Sequence, residues 1–476
     1  MKVIRNYLYN VGYQVLAIIV PLITSAYVAR VLRPEGVGAN AFTNSVIQYF
    51  ILFASMGIGY YGNRQIAYVR ENQQKMANTF WEIQIVKTIM TLIAFIAFEV
   101  FMIFYTKQPE YMWAQSINLV AIAFDISWFY EGIEDFKVTV LKNSFVKIVS
   151  MIAIFIFIKG SNDVTLYIAV LAISTLLGNL TLWPNIRRDL PKVNFKSLNP
   201  WPHFFPMIEL FVPQIAIQVY VQLNRTMLGV MVDETAAGFY QYSDNLIKMT
   251  LALVTATGTV MLPHVANAFS QGNMNKVNKM LYKSFDFISA MAYPMMFGLA
   301  AISLTLAPKY YGPGYGPVGQ AMFIESVVIL MIGWSNVLGV QYLLPIHKQK
   351  EFTISVTLGA IVNVILNIPL IKMWGLNGAM IATSIAEFSV TLYQLFIVKR
   401  SLSLKDLFRG SWKYFISGLI MFTVVFWMNR NLKDSWLMMG LEVIVGVVIY
   451  GILVLILKAP IVYEARDLIV NKLKNK

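Results

Sequence analysis

Three basic side chains stand inside long apolar stretches of this chain: Lys87, Arg225 and Lys248. A cation at membrane depth is expensive, so it faces a wet cavity, an anion or a carboxylate partner. Arg225 lies between Asn224 and Thr226 in the stretch 205–232. It can meet an anionic ligand, pair with a neighbouring acid, or extend to an interface about two turns away. Lys248 follows Asp244 by four residues, which puts both on one helix face and predicts an intrahelical pair. Lys87 is close enough to the inner surface to reach it along its aliphatic stem. The acids Asp125, Glu131, Glu325 and Glu387 fall in or at the ends of such stretches, able to pair with these cations or bind a coupling ion. Pro21 and Pro213 bend a helix axis and free carbonyls that must be satisfied within protein. Such bends suit rocking between two states, ordinary packing kinks being the alternative.

Other chemistries are excluded or unsupported. The chain has no cysteine, so disulfides, thiolate metal sites and cysteine nucleophiles are ruled out. Its histidines, His203, His264 and His347, are far apart, and no metal or cofactor is expected. There is no G-x-x-x-x-G-K-[ST] and no kinase signature.

The elements that position these residues follow from composition. The 476 residues are 58% hydrophobic and 13% charged, with a mean hydropathy of +0.62. Soluble domains carry about 25% charged residues, so most of this surface must face lipid. A bilayer core about 30 Å thick needs ~20 residues of helix. Runs of that size recur at 8–30, 40–61, 83–105, 112–131, 143–159, 164–184 and 205–232. They continue at 237–265, 284–307, 317–345, 353–373, 377–398, 413–428 and 437–457. The expected fold is an all-α integral membrane protein of about 14 transmembrane helices. Lys2 and Arg5 resemble the start of a signal peptide, but the apolar stretch runs on to Val31 without a clean cleavage site, as a first membrane helix would.

Basic residues orient it. With the N-terminus in the cytoplasm, about 27 of the 38 Lys and Arg fall in inner segments and about 8 in outer ones. Both termini are therefore expected inside. The formal charge of +14 is spread over many short loops, so it reads as inner-loop charge and no nucleic-acid partner is expected.

A repeat supports a bipartite layout. Val31-Leu32-Arg33-Pro34-Glu35-Gly36-Val37-Gly38 leads through Asn44 to Gly57 and a basic loop. About 200 residues later, Val232-Asp233-Glu234-Thr235-Ala236-Ala237-Gly238 leads through Asp244-Asn245 to Gly258. The matching helices enter from the same side, which predicts two parallel six-helix lobes, 1–200 and 201–400. Residues 401–476 add two helices and a basic tail. The connectors are too short to fold into a catalytic domain, so the work falls to the bundle interior and secondary transport is the natural class.

The ordered motifs resemble Wzx-type polysaccharide flippases. Ala29-Arg30-Val31-Leu32-Arg33-Pro34-Glu35-Gly36-Val37-Gly38 is similar to that family's "A-R-x-L-G-P-x-x-x-G" loop, following Asn10, Gln14 and Pro21. Gly62-Asn63-Arg64-Gln65-Ile66-Ala67 resembles "G-x-R-x-I-A", and Asp125-Ile126-Ser127-Trp128-Phe129-Tyr130-Glu131-Gly132 resembles "D-x-x-W-F-x-x-G". Asn224-Arg225-Thr226-Met227-Leu228-Gly229 is similar to "D-K-x-M-L-G", and Gly375-Leu376-Asn377-Gly378-Ala379 to a late "G-x-x-G-A" turn. Two positions depart: Arg33 stands where the family has glycine, and Asn224 where it has an acid.

The resemblance implies the multidrug/oligosaccharidyl-lipid/polysaccharide exporter fold. It implies transfer of an undecaprenyl-diphosphate-linked oligosaccharide from the inner to the outer leaflet of the cell membrane, for capsule or exopolysaccharide assembly. Polymerase and glycosyltransferase partners go with that role. A cationic cavity between lobes would replace the head group's hydration while the prenyl tail stays in lipid. Arg225, Lys248 and Asn224 are the second-lobe candidates to meet the diphosphate, with Lys87 and Arg30 in the first lobe. The alternatives are a multidrug cation exporter of the same broad fold, which should favour carboxylates, and a membrane-embedded polymerase or transferase, which usually needs a long outer loop or soluble lobe.

Overall fold

A computed structural model describes residues 2–463; the side chains of 2–15, 187–189, 212–214, 216, 217, 219, 220, 256–260 and 263 lie outside that description. The described residues are helical with short connectors. In chain order the helices are α1 (Lys2–Ser55), α2 (Ile58–Val69), α3 (Gln73–Phe104), α4 (Pro109–Ala123), α5 (Ser127–Gly132) and α6 (Phe136–Phe157). Next come α7 (Val164–Leu180), α8 (Trp183–Asp189), α9 (Phe204–Met231), α10 (Glu234–Ser270), α11 (Met274–Tyr311) and α12 (Gly316–Glu325). The last are α13 (Val327–Ser335), α14 (Gln349–Val398), α15 (Leu404–Leu407), α16 (Ser411–Asn431) and α17 (Trp436–Ile456).

Each stretch read as a span is helical over most of its length. By length and composition, eight helices among the described residues could cross a membrane, or nine if the bent pair α12–α13 is one span. Their lipid-facing sides carry exposed Ile96, Ile103, Val447 and Ile452. In water such a surface would aggregate; in hydrocarbon it costs nothing, because the helix satisfies its own backbone.

Three breaks shape the helices. α1 is interrupted at Arg33, with φ 60° and ψ 173°, immediately before Pro34. α14 is interrupted at Gly375, with φ 54°. Both fall on turn motifs noted in the sequence. Glycine reaches the second conformation freely, but an arginine in the first is strained. The third break is a bend of 41° between Gly316–Glu325 and Val327–Leu343. The turns Asn336–Leu343 are wound as a π-helix.

The chain forms two compact units, Met1–Gly238 and Phe239–Lys476. In the first, α1 packs against α3, α4, α6 and α9. One of its core clusters is aromatic, with Phe80 stacked on Trp128 at 5.4 Å between ring centres and Tyr130 donating to the Leu182 carbonyl at 2.7 Å. Gly38 and Gly238, the glycines closing the two repeat turns, meet backbone to backbone. A Cβ on Gly238 would lie 2.8 Å from the Gly38 Cα. In the second unit, α11 is the central helix, packed on α12, α13 and α16. Its Phe285 is buried in one cluster with Trp334 of α13 and Tyr414 of α16.

Candidate functional site

The polar residues at membrane depth gather into distinct clusters. The first lies at the break between α4 and α5. Ending α4 at Ala123 leaves carbonyls without helical partners. Side chains from three other helices satisfy them. Asn179 donates to the Ala121 carbonyl at 2.7 Å, Gln84 to Ala123 at 2.8 Å, and the Trp183 indole to Phe124 at 2.9 Å. Lys87 closes the series by donating to the Asp125 carbonyl. It is 3% exposed, so it turns into the protein and does not reach along its stem to the inner surface.

The Asp125 carboxylate folds back onto the same break, accepting from the Ser127 amide at 3.0 Å. Lys142 reaches Asp125 Oδ1 at 3.4 Å and Ser127 Oγ at 3.0 Å. Glu131 accepts a longer bond, 3.4 Å, from Asn63. Two ammoniums and one carboxylate thus share one helix break. Lys142 falls just before the apolar run 143–159; its place in α6 is what brings it to Asp125.

The second cluster surrounds Arg225 near the end of α9. Arg225 is half-buried, and Asn224 beside it is 2% exposed. Thr226 is held by α1, with its hydroxyl 3.0 Å from Ser45 Oγ and 3.1 Å from the Tyr49 hydroxyl. Small residues allow the close approach: a Cβ on Gly229 would press into the Phe42 ring. The α1–α9 contact therefore fixes the backbone that carries Arg225.

The third cluster is in the second unit. Lys248 donates to Asp244 at 2.7 Å, the pair its spacing predicts, with the lysine side chain half exposed. One residue earlier, Ser243 donates at 2.6 Å to Glu325, which is 1% exposed. Glu325 is the last residue of α12, where the 41° bend begins.

Other predicted residues stand apart from these groups. Arg30 is exposed near the end of the first half of α1, and Pro21 is half-buried within that half. Glu387 is half-buried in the second half of α14. Pro213 lies outside the described residues.

One buried acid was missed. Glu442, 3% exposed in α17, accepts from Asn429 of α16 at 2.8 Å, and Asn429 in turn accepts from Thr305 of α11 at 3.0 Å. The three helices are tied at one end by this chain. Glu442 also borders an apolar cavity of about 550 Å³ beside Pro294, Met421 and Tyr450. A lone acid in the run 437–457 was the available signal.

Comparison with known proteins places this architecture. The fold is similar to that of the structure titled "Lipid II flippase MurJ, inward closed conformation", with a TM-score of 0.79 at 16% identity, covering 97% of this chain and all of that one. It is also similar to an inward-facing MATE family multidrug resistance transporter, at TM-score 0.62 and 13% identity, over 81% of this chain and 96% of that one. In sequence the chain is 22% identical over 402 residues to the "Putative O-antigen transporter" of Escherichia coli (strain K12), covering 83% of this chain and 97% of the relative. Residues 3–269, more than half of the chain, match the family described as polysaccharide biosynthesis protein. The resemblance read from the ordered motifs is upheld, and this multi-pass membrane protein belongs to the polysaccharide biosynthesis protein family.

Proposed function

We propose that the protein is a flippase for a lipid-linked oligosaccharide, carrying an undecaprenyl-diphosphate-linked repeat unit from the inner to the outer leaflet for capsule or exopolysaccharide assembly. The match over 83% of this chain to the "Putative O-antigen transporter" supports the substrate class. The observation that carries the reading is Arg225. It is a cation that cannot be discharged at cellular pH, placed between Asn224 and Thr226 in a long, mostly apolar helix and braced by the Thr226 contacts. A diphosphate crossing hydrocarbon needs such a partner, because unpaired charge is heavily penalised there.

In this reading the lobes enclose a cationic, water-lined space and alternate its access between the two sides. Arg225, with Asn224 beside it, meets the diphosphate, and Lys248 adds positive charge in the second lobe. Arg30 contributes from the first, whereas Lys87, taken from sequence as a further first-lobe candidate, is buried on the Asp125 carbonyl and serves the α4 break instead. Asp125, Glu131, Glu325 and Glu387 are the acids available for coupling or gating, and Pro21 and Pro213 the bend points. Glu325 is favoured among the acids because its burial and its place at the α12 bend join its charge state to helix geometry.

Arg225→Ala should abolish polymer export while the protein reaches the membrane at its normal level. Export would be followed by surface polysaccharide staining and abundance by membrane immunoblot. Unchanged export would remove Arg225 from the site. A multidrug cation exporter of this fold would instead give drug resistance on overexpression with surface polysaccharide unaltered.

A further inference from the structure

A cavity of about 280 Å³ opens in the first unit, away from the three clusters above. It lies where the break in α1, the start of α4 and the turn before α7 come together, on the side that loop charge assigns to the outside. Its floor is Leu32, Gly36, Ala39 and Val164. Gly36 lets α1 close on the start of α7 there, since a Cβ at that position would sit 2.8 Å from Val164 Cγ2.

Its walls are polar: Arg33, Glu35, Gln108, Tyr111, Ser161 and Asn162. Among the described residues, no side-chain hydrogen bond or ion pair to protein is formed by any of these six. They are thus left with a guanidinium, a carboxylate, two amides and two hydroxyls turned to solvent around one hollow.

Two of the lining residues are also strained. Arg33 has φ 60° and ψ 173°, and Gln108 has φ 43°. The Arg33 conformation belongs almost wholly to glycine. Pro34 adds to the cost, since a residue before proline is pushed toward extended φ. The related flippase motif carries glycine here, so this chain keeps an arginine where glycine would relieve the backbone. Strain held at a pocket wall is a pointer to binding.

We infer that this cavity is a saccharide subsite, taking one sugar ring of the oligosaccharide as it emerges on the outer side. Its chemistry separates a sugar from a free anion. Arg33 alone would suit phosphate, but Glu35 beside it repels phosphate and accepts from sugar hydroxyls. Gln108 and Asn162 supply donors and acceptors together, and Tyr111 offers a ring for the apolar face of the sugar. The volume is near the lower end of small-ligand pockets, about 300 Å³, which fits a single ring and not the whole repeat unit. This subsite rests on the flippase reading for its source of sugar, and extends it by a place where repeat units are told apart.

The test is saturation-transfer NMR on the full protein in lipid nanodiscs. The probes are methyl glucoside, methyl galactoside, N-acetylglucosamine and methyl glucuronide, with inorganic phosphate as competitor. At least one of these sugars should give a transfer signal that phosphate leaves in place. Arg33→Gly should lose that signal while raising the melting temperature, because it removes the guanidinium and the strain together. Asn162→Ala should lower the signal with the fold intact. Arg225→Ala should leave it unchanged, so failure of the transport reading and failure of this one are seen separately. Silence from all four sugars overturns the proposal, as does a signal indifferent to Arg33→Gly and Asn162→Ala, or one displaced by phosphate.

Discussion

Lys87 illustrates how a charged residue in a membrane helix can be committed to backbone. Its ammonium donates to the Asp125 carbonyl at the end of α4, in company with Gln84, Asn179 and Trp183. Lys87→Met keeps the length of the side chain but leaves a buried carbonyl without a donor, a cost of about 1–3 kcal/mol. The variant should melt at a lower temperature in detergent, as followed by tryptophan fluorescence. An unchanged melting curve would show that the break is satisfied without Lys87. From sequence, Lys87 offered only its distance from the inner surface, which suggested an outward reach. Its inward turn depends on where α4 stops, 36 residues further on, and the local pattern carries no sign of that. Lys248 is the opposite case, because its partner Asp244 lies one turn away on the same helix and their spacing alone joins them.

At the scale of elements, the turn motifs were the most legible features. The stretch around Arg33 and Pro34 and the stretch around Gly375 each end one apolar run and begin another, and both are breaks in otherwise continuous helices. Glycine and proline act through local backbone sterics, so their effect survives whatever the surrounding fold. The break between α4 and α5 was hidden inside the run 112–131, since Phe124-Asp125-Ile126 contains neither residue. Close packing between glycines gives a direct test. Gly238→Ala would place a methyl group 2.8 Å from the Gly38 Cα, an overpacking cost of about 1–3 kcal/mol. Gly440→Ala in α17 meets no atom within 4 Å and should be neutral or mildly stabilising. Comparing the melting temperatures of the two variants checks the contact. Equal values would show that the glycine approach is not tight.

For the whole molecule, the proposed cargo carries negative charge outward across a membrane whose inside is negative. That movement gains about 2.3 kcal/mol per charge per 100 mV. In proteoliposomes of uniform orientation, with the cytoplasmic face of the protein on the inside-negative side, imposing a potassium diffusion potential should speed flipping of a fluorescent polyprenyl-diphosphate sugar. Collapsing the potential should slow it. A rate indifferent to potential would mean that the charge is compensated during transit, most simply by an ion carried with it, and would turn attention to Glu325.

The sequence by itself determined that the chain is an all-helical membrane protein and where most of its helices run. Hydrocarbon demands long apolar stretches, and that demand is written residue by residue. It also determined the family, through motifs that lie in local turns. Only the tertiary structure decided which polar residues share a cluster: Lys142 with Asp125, Ser243 with Glu325, Glu442 with Asn429 and Thr305. Each of these meetings joins residues distant along the chain, and a buried polar atom takes whichever partner packing brings within reach.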